Sequence, residues 1–412
     1  QNSGTSAGVF FNTAPTGTIA DVTVNEDAVP TQVNLDAAFS DLQHSDAQLS
    51  YSVTANSNPS LFSGSSISSG VLTLTHAANT NGYSDITVRA SDPYGQFTES
   101  TFRVTVNPVN DAPIFNSLDG NPTFVEDGPA VVLDSNATFF DQEIAEGRDN
   151  YGSNDLILVR NGGANADDVF SATGNLAALI EGGNLVLSGN TIGTVVANSG
   201  GILDIRFTAA ATAANVNEVM QSIAYSNTNN TPPASVQIGW SMEDGNGGLQ
   251  GSGGNLFAMG STTVNITAAN DEQVLATNTG MTVNENSLAN VLTGAVLNTT
   301  DADNSNSELV YTITSSTTNG TVRLNGTALG LNGTFTQADI NSGWVTYDHN
   351  GSETAADSFA FSVDDGAGTT STGTFSLTIT PVNDNNPIIN SNGGGAVAAI
   401  NVAENSTFVT TV

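Results

Sequence analysis

Cysteine and lysine are both absent from this 412-residue chain, and only six basic residues, all arginine, stand against 40 acidic ones, a formal net charge of −34. Without cysteine no disulfide can staple a domain, and thiol nucleophiles and thiolate metal sites are excluded. Without lysine there is no Schiff-base amine and no self-formed Lys–Asn cross-link. The histidines are scattered at His44, His76 and His349, so zinc and copper sites are not expected. A Ser–His–Asp triad likewise has no recognisable setting, and the chain is not expected to be an enzyme. So negative a field disfavours nucleic acid and anionic membrane faces, while it gathers divalent cations. No apolar run reaches about 18 residues, so membrane insertion is not expected. No basic segment followed by an apolar core is visible at the N-terminus.

Charged residues are only 11% of the chain, which sets it apart from a charge-rich disordered tail. Gly, Ser, Thr and Asn fill the polar positions, and Val, Ile, Leu and Phe recur at alternate places, as in half-buried strands. Three such runs, FRVTV, TTVNIT and FSLTIT, are each followed by an Asn-Asp pair: Asn110-Asp111, Asn270-Asp271 and Asn383-Asp384. At similar distances beyond them come glutamates at the end of a short strand pattern: Glu126 in FVED, Glu285 in TVNEN and Glu404 in NVAEN. The N-terminus fits the same frame, with Asn12-Thr13-Ala-Pro in place of Asn110-Asp111-Ala-Pro and Glu26 in TVNED.

Two further acidic elements recur. An Asp-x-x-Gly turn precedes each pair, beginning at Asp92, Asp244 and Asp365; in the second unit the insert GGLQGSGGN lengthens the gap. An acidic loop follows early strands as DLQHSD from Asp41 to Asp46, DQE from Asp141 to Glu143 and DAD from Asp301 to Asp303. Units two and three also share a segment, AANVNEVMQSIAYSN and TQADINSGWVTYDHN, that places Tyr225 and Tyr347 alike after a short helical or irregular turn. Trp240 and Phe361 precede the turn aspartates at equal spacing; with the tyrosines they read as core residues. Short strands between Gly/Asn/Asp turns indicate an all-β chain of tandem immunoglobulin-like β-sandwich domains in an elongated array. The frame divides it into 1–12, the end of a preceding repeat or a tail; repeats at 13–111, 112–271 and 272–384; and the start of a truncated fourth at 385–412.

Acidic residues kept to strand ends, turns and linkers are free to face a junction between domains, because strands bury alternate apolar positions. Ca²⁺ takes six to eight oxygens from carboxylates, carboxamides and carbonyls, which such a junction supplies. An Asn-Asp or Asp-Gly pair is also a turn former, so each aspartate has a hairpin-shaping reading beside the ligand one. Asp27, Asp127 and Asp364 read as solvated neighbours of ligands. The GGxGxD nonapeptide does not occur, and DADNSN lacks the glycine of an EF-hand.

These residues resemble cadherin-type repeats. Val382-Asn-Asp-Asn-Asn-Pro387 is similar to that family's linker, Asp301-Ala-Asp303 to its Asp-x-Asp loop, Asp365 to its later aspartate, and Glu26, Glu126, Glu285 and Glu404 to its first-strand glutamate. The resemblance implies calcium as the bound ion and a ligand set for each joint. The first joint takes Glu26, Asn110, Asp111, Asp141 and Asp244; the next takes Glu126, Asn270, Asp271, Asp301, Asp303 and Asp365. The last begins with Glu285, Asn383, Asp384 and Asn385; Asp92 is the turn aspartate of the first unit. No Leu-Asp-Arg-Glu motif is present, Thr13 replaces an aspartate and AANDEQ lacks the proline, which implies fewer ions per joint. The third unit looks more like the repeat of chondroitin-sulfate-proteoglycan and Fraser-type matrix proteins. As a whole the chain resembles part of a large bacterial repeat adhesin of the RTX kind exported by type I secretion, placed extracellularly at the cell surface. The implied function is a calcium-rigidified rod for cell or matrix adhesion, with neighbouring repeats as partners and cell-surface glycans or proteins met through other domains. Two alternatives stand beside it: ligand or glycan binding by the longer middle unit, and an accessory region of a secreted hydrolase.

Overall fold

The computed structural model describes residues 11–383. The chain divides into two compact units, one ending at Ala269 and the other beginning at Asn270. The first holds two successive β-sandwiches and the second holds one, each around its own apolar core. Alternation accounts for the strands. Along Phe97–Asn107, Ser100, Phe102, Val104 and Val106 point inward while Glu99, Thr101 and Arg103 face water. Each buried Phe or Val of this kind contributes about 1.5–3 kcal/mol.

In the first sandwich a sheet of Val22–Asn25, Phe97–Asn107, Gly82–Ser91 and Ser50–Asn56, in that order, packs across the core from Thr31–Asn34, Val71–His76 and Phe62–Ser68. The second sandwich owes its length largely to a wider sheet. Seven strands run in the order Thr123–Val125, Phe257–Thr267, Ser235–Glu243, Asp155–Arg160, Ile202–Phe207, Asn190–Ser199 and Asn184–Leu187. In the second unit a five-stranded sheet, centred on Ala356–Asp364, opposes a four-stranded one that includes Val345–His349.

The shared segment of the later two sandwiches is a helix leading into a strand. Ala213–Ser222 and Gln337–Asn341 each start at a threonine, Thr212 and Thr336, whose side chain and that of the residue three on, Asn215 or Asp339, cap each other's backbone. The strands that follow bury Tyr225 and Tyr347, whose hydroxyls donate to Asp168 and Asp357 at 2.6 and 2.8 Å. Trp240 and Phe361 are buried in the same two cores.

Strand pairing positions the glutamates that end the first strands. The short glutamate-bearing strand of each sandwich runs parallel to its last strand: Val22 with Val104, Thr123 with Asn265, and Met281 with Leu377. Parallel strands finish at the same end, so Glu26, Glu126 and Glu285 arrive where the chain leaves the domain. Their own amides donate to Asn107, Thr267 and Thr380 carbonyls at 2.9, 3.0 and 2.9 Å.

Candidate metal centre

Each of these glutamates then turns its carboxylate on the departing chain. Glu26 Oε1 accepts from the Val109 amide at 2.6 Å, Glu126 Oε2 from Ala269 at 2.9 Å and Glu285 Oε2 from Val382 at 3.0 Å. All three glutamates are 4% exposed, so these bonds are made in a desolvated setting, where an unmatched charge is costly. The next residue is left-handed each time: Asp27 at φ 58°, Asp127 at 57° and Asn286 at 59°. Asn and Asp tolerate that region best among residues with a side chain. Asp27 and Asp127 therefore shape the turn that ends the strand, which is more than being solvated neighbours of ligands. Asp364 likewise accepts from the Gly366 amide within its own turn.

The start of each sandwich repeats a second arrangement. The linker asparagine donates its side-chain amide to the turn aspartate: Asn12 to Asp92 at 2.6 Å, Asn110 to Asp244 at 2.6 Å and Asn270 to Asp365 at 3.1 Å. The aspartate of the acidic loop folds one oxygen back on its own backbone. Asp41 Oδ1 accepts from Gln43 and His44, Asp141 Oδ1 from Ile144, and Asp301 Oδ1 from Asp303 and Asn304. The residue two further on accepts from the linker's next amide, as Gln43 from Thr13 at 3.4 Å, Glu143 from Asp111 at 3.4 Å and Asp303 from Asp271 at 2.7 Å. Asp46 is exposed at the start of a short 3-10 turn.

These bonds use only part of each side chain. Buried oxygens without a hydrogen-bond partner remain at Asn12 Oδ1 and Asp41 Oδ2; at Glu26 Oε2, Asn110 Oδ1, Asp111 Oδ2, Asp141 Oδ2 and Glu143 Oε2; and at Asp301 Oδ2, Asn304 Oδ1 and Glu285 Oε1. Native proteins leave few buried polar atoms unmatched. Here they gather at the ends of the sandwiches, where the chain enters or leaves a domain, and are nearly all acceptors. An all-oxygen set of this kind could hold a hard cation.

The start of the second sandwich shows the electrostatics most clearly. Burial, with Asp244 and Asp149 nearby, pushes the Asp141 carboxyl up to about 6, although the Ile144 amide opposes it. Burial, with Asp141 and Asp111 nearby, pushes Glu143 up to about 7. Glu26 and Asp111 are raised in the same way, burial again leading. One protein cation answers them. Arg148 places Nη2 3.0 Å from Glu143 and Nη1 3.8 Å from Glu26, keeping the two glutamates apart, and its Nε lies 2.9 Å from Glu146.

The glycine-rich insert closes the same place from the other side. The Asn110 amide donates to the Ser252 carbonyl at 2.8 Å, the Ser252 amide to Pro108 at 3.2 Å, and the Asn110 side chain to the Gly254 carbonyl at 2.9 Å. Gly251 has φ 116°, and a Cβ there would lie 2.7 Å from the Pro108 carbonyl carbon, so only glycine admits this approach.

The sequence-derived ligands thus fall into sets. Glu26, Asn110, Asp111, Asp141 and Asp244 come together in the first unit, while Asn270, Asp271, Asp301, Asp303 and Asp365 come together in the second. Glu126 closes the parallel pair of the second sandwich and Glu285 that of the third. Asn383 is exposed at the limit of the described residues; Asp384, Asn385 and Glu404 lie outside them. Asp92 joins Asn12, Asp41 and His44. Glu143, wholly buried, lies in the acidic loop DQE that the sequence singles out, but outside the ligand set that the resemblance implies. Asp41 stands likewise in the loop DLQHSD, whereas Asn12 and Asn304 were not among the sequence candidates. Nothing local to AEGRDN marks Arg148 as their counter-charge.

Residues 274–379 match the family model described as cadherin-like. Among curated relatives, the extracellular matrix organizing protein FRAS1 of Homo sapiens is 31% identical over 171 residues, 41% of this chain and 4% of that protein. Extracellular matrix protein 3 of Lytechinus variegatus is 46% identical over 66 residues, 16% of this chain and 2% of its own length. The chain spans only about 4% of the length of the first of these relatives. Among solved structures, the protocadherin gamma B2 extracellular cadherin domains 1–5 align over 90% of this chain and 60% of theirs, at 13% identity and a TM-score of 0.40. Mouse cadherin-23 EC22-24 aligns over 90% and 100%, at 14% identity and a TM-score of 0.37. Among the described residues no helix is long and apolar enough to cross a membrane. The sandwich built from residues 274–379 is therefore a cadherin-like domain, in a chain similar over part of its length to animal extracellular matrix proteins.

Proposed function

We propose that this chain is a calcium-stiffened segment of an extracellular adhesive or matrix protein, serving as a spacer rather than as an enzyme. The observation that carries the reading is the recurrence of buried, unpartnered acceptor oxygens at the starts of the second and third sandwiches. At the start of the second sandwich, Glu26, Asn110, Asp111, Asp141 and Glu143 would hold the ion, with Asp244 orienting Asn110. At the start of the third, Asn270, Asp271, Asp301, Asp303 and Asn304 would do so, with Asp365 in the orienting place. Glu126 and Glu285 repeat the backbone and carboxylate geometry of Glu26, and we assign them the same role. Bound calcium supplies charge neutralisation and a fixed coordination shell. The chain's own residues supply the frame, because the parallel strand pair and the capped loop aspartates orient the acceptors in advance. The absence of cysteine and lysine and the Asp/Asn/Gly/Thr-rich surface support a place in a large repeat adhesin exported by type I secretion. Contacts with cell-surface glycans or proteins would then belong to other domains of that protein.

The test is solution X-ray scattering and thermal unfolding of the chelator-stripped chain during a calcium titration. Calcium is expected to narrow the distance distribution and raise the unfolding temperature by mass action. Asp111→Ala combined with Asp141→Ala should remove part of both responses. A chain whose shape and stability ignore calcium would refute the proposal and leave these aspartates as turn formers.

A further inference from the structure

Besides Thr13 and Gln43, the start of the first sandwich departs from the other two at a third residue. Three positions after the loop aspartate stands His44, where the corresponding places hold Ile144 and Asn304. Its ring Nδ1 lies 2.9 Å from Asp41 Oδ1, and its side chain is 7% exposed. The Tyr94 ring, 5.5 Å away between centroids, packs on it. One ring nitrogen of His44 and one oxygen each of Asp41 and Asp92 lie within 4.8 Å of one another. Among the described residues no other group of three histidine or acidic side chains comes so close. Two acceptors in this neighbourhood remain unmatched: Asp41 Oδ2, on a side chain with no exposure, and Asn12 Oδ1, whose amide nitrogen is held by Asp92.

A calcium shell is made of oxygen, and imidazole is not among its usual donors. Imidazole nitrogen with two carboxylates is instead a donor set for zinc and similar borderline divalent ions, with bonds of about 2.0–2.2 Å. We propose that Asp41, His44 and Asp92, assisted by the Asn12 carbonyl, form a transition-metal site of the zinc class, separate from the all-oxygen sites of the other two sandwiches. The neutral ring ligates through the nitrogen that faces Asp41 and carries its proton on the other nitrogen. Asp92 is already fixed by the Tyr94 and Gln96 amides at 2.8 and 2.9 Å, so it enters as an oriented ligand. The proposal departs from the expectation that scattered histidines leave no zinc site. A single histidine is enough where the fold adds two buried carboxylates.

The proposal does not depend on the calcium reading, and one experiment separates the two. The chelator-stripped 412-residue chain is titrated with Zn²⁺ by calorimetry in excess Ca²⁺, and histidine ring resonances are followed by NMR. About one Zn²⁺ per chain is expected, moving the His44 ring signals but not those of His76 or His349. His44→Asn, which installs the residue found at the matching Asn304 position, is expected to weaken Zn²⁺ binding at least about tenfold and to leave calcium responses unchanged. Co²⁺ should give visible bands of a nitrogen-containing site that vanish in the same variant. Zinc affinity within about twofold of the parent in His44→Asn, or His44 ring signals unmoved by Zn²⁺ in the unaltered chain, would overturn the assignment.

Discussion

Arg148 is the one residue whose removal should convert a cation-independent contact into a calcium-dependent one. In Arg148→Met the stem keeps its bulk and the guanidinium is lost. Glu143 and Glu26, whose side chains are fully buried, then have no protein counter-charge. At 3.0 and 3.8 Å each attraction is worth about 4–6 kcal/mol at an effective dielectric of about 20. Desolvation of the guanidinium offsets much of this, and removing one partner of a buried pair costs about 3–5 kcal/mol. Arg148 retains 18% of its exposure, which favours the lower end, about 3 kcal/mol. For a domain of this size that is about 6–12 °C in unfolding temperature. The loss should be read by calorimetry in chelator and should shrink to under about 1 kcal/mol in saturating calcium, because the ion then neutralises the same carboxylates. Calcium affinity should rise, since the ion no longer competes with a tethered cation. Equal losses with and without calcium would refute the reasoning and reduce Arg148 to packing by its stem.

Gly251→Ala forces a Cβ against Pro108 and should detach the insert from the linker, costing about 1–3 kcal/mol. Amide exchange at Asn110 and Ser252 would report it, and unchanged protection there would contradict the clamp. Tyr225→Phe removes the donor at 2.6 Å to Asp168, which keeps Arg160 and Asn227. A loss of about 1–2 kcal/mol in denaturant unfolding is expected, and a neutral result would remove the hydroxyl from the core's polar network. Burial lowers the His76 pKa below its ordinary value, so the folded state resists the proton that the unfolded chain accepts. The stability this group contributes is present above about pH 6.5 and is lost as pH falls toward the lowered value. In saturating calcium the parent should therefore lose more stability than His76→Gln between about pH 6.5 and 5, and parallel pH profiles would refute this.

The sequence by itself determined the strand alternation, the core aromatics and the recurring acidic frame, because each is written at short range. Period-2 burial is read from neighbouring residues, and Asn-Asp after an apolar run marks where a strand must stop. Glu26, Asn110, Asp111, Asp141 and Asp244 could be grouped through the resemblance to cadherin-type repeats, which the recurring elements carry. The tertiary structure decided which oxygens are already engaged and which are left over, since that depends on the parallel pairing that carries Glu26 to Val109. It also decided that Glu143 is buried, that the insert after Asp244 folds on the linker, and that Arg148 lies between two glutamates. His44 shows the limit most directly. In sequence it is a lone histidine in a polar loop, and only the approach of Asp92, from another turn, makes it a candidate ligand. Charge and periodicity are local properties of the chain, whereas coordination is a property of distances between segments far apart in it.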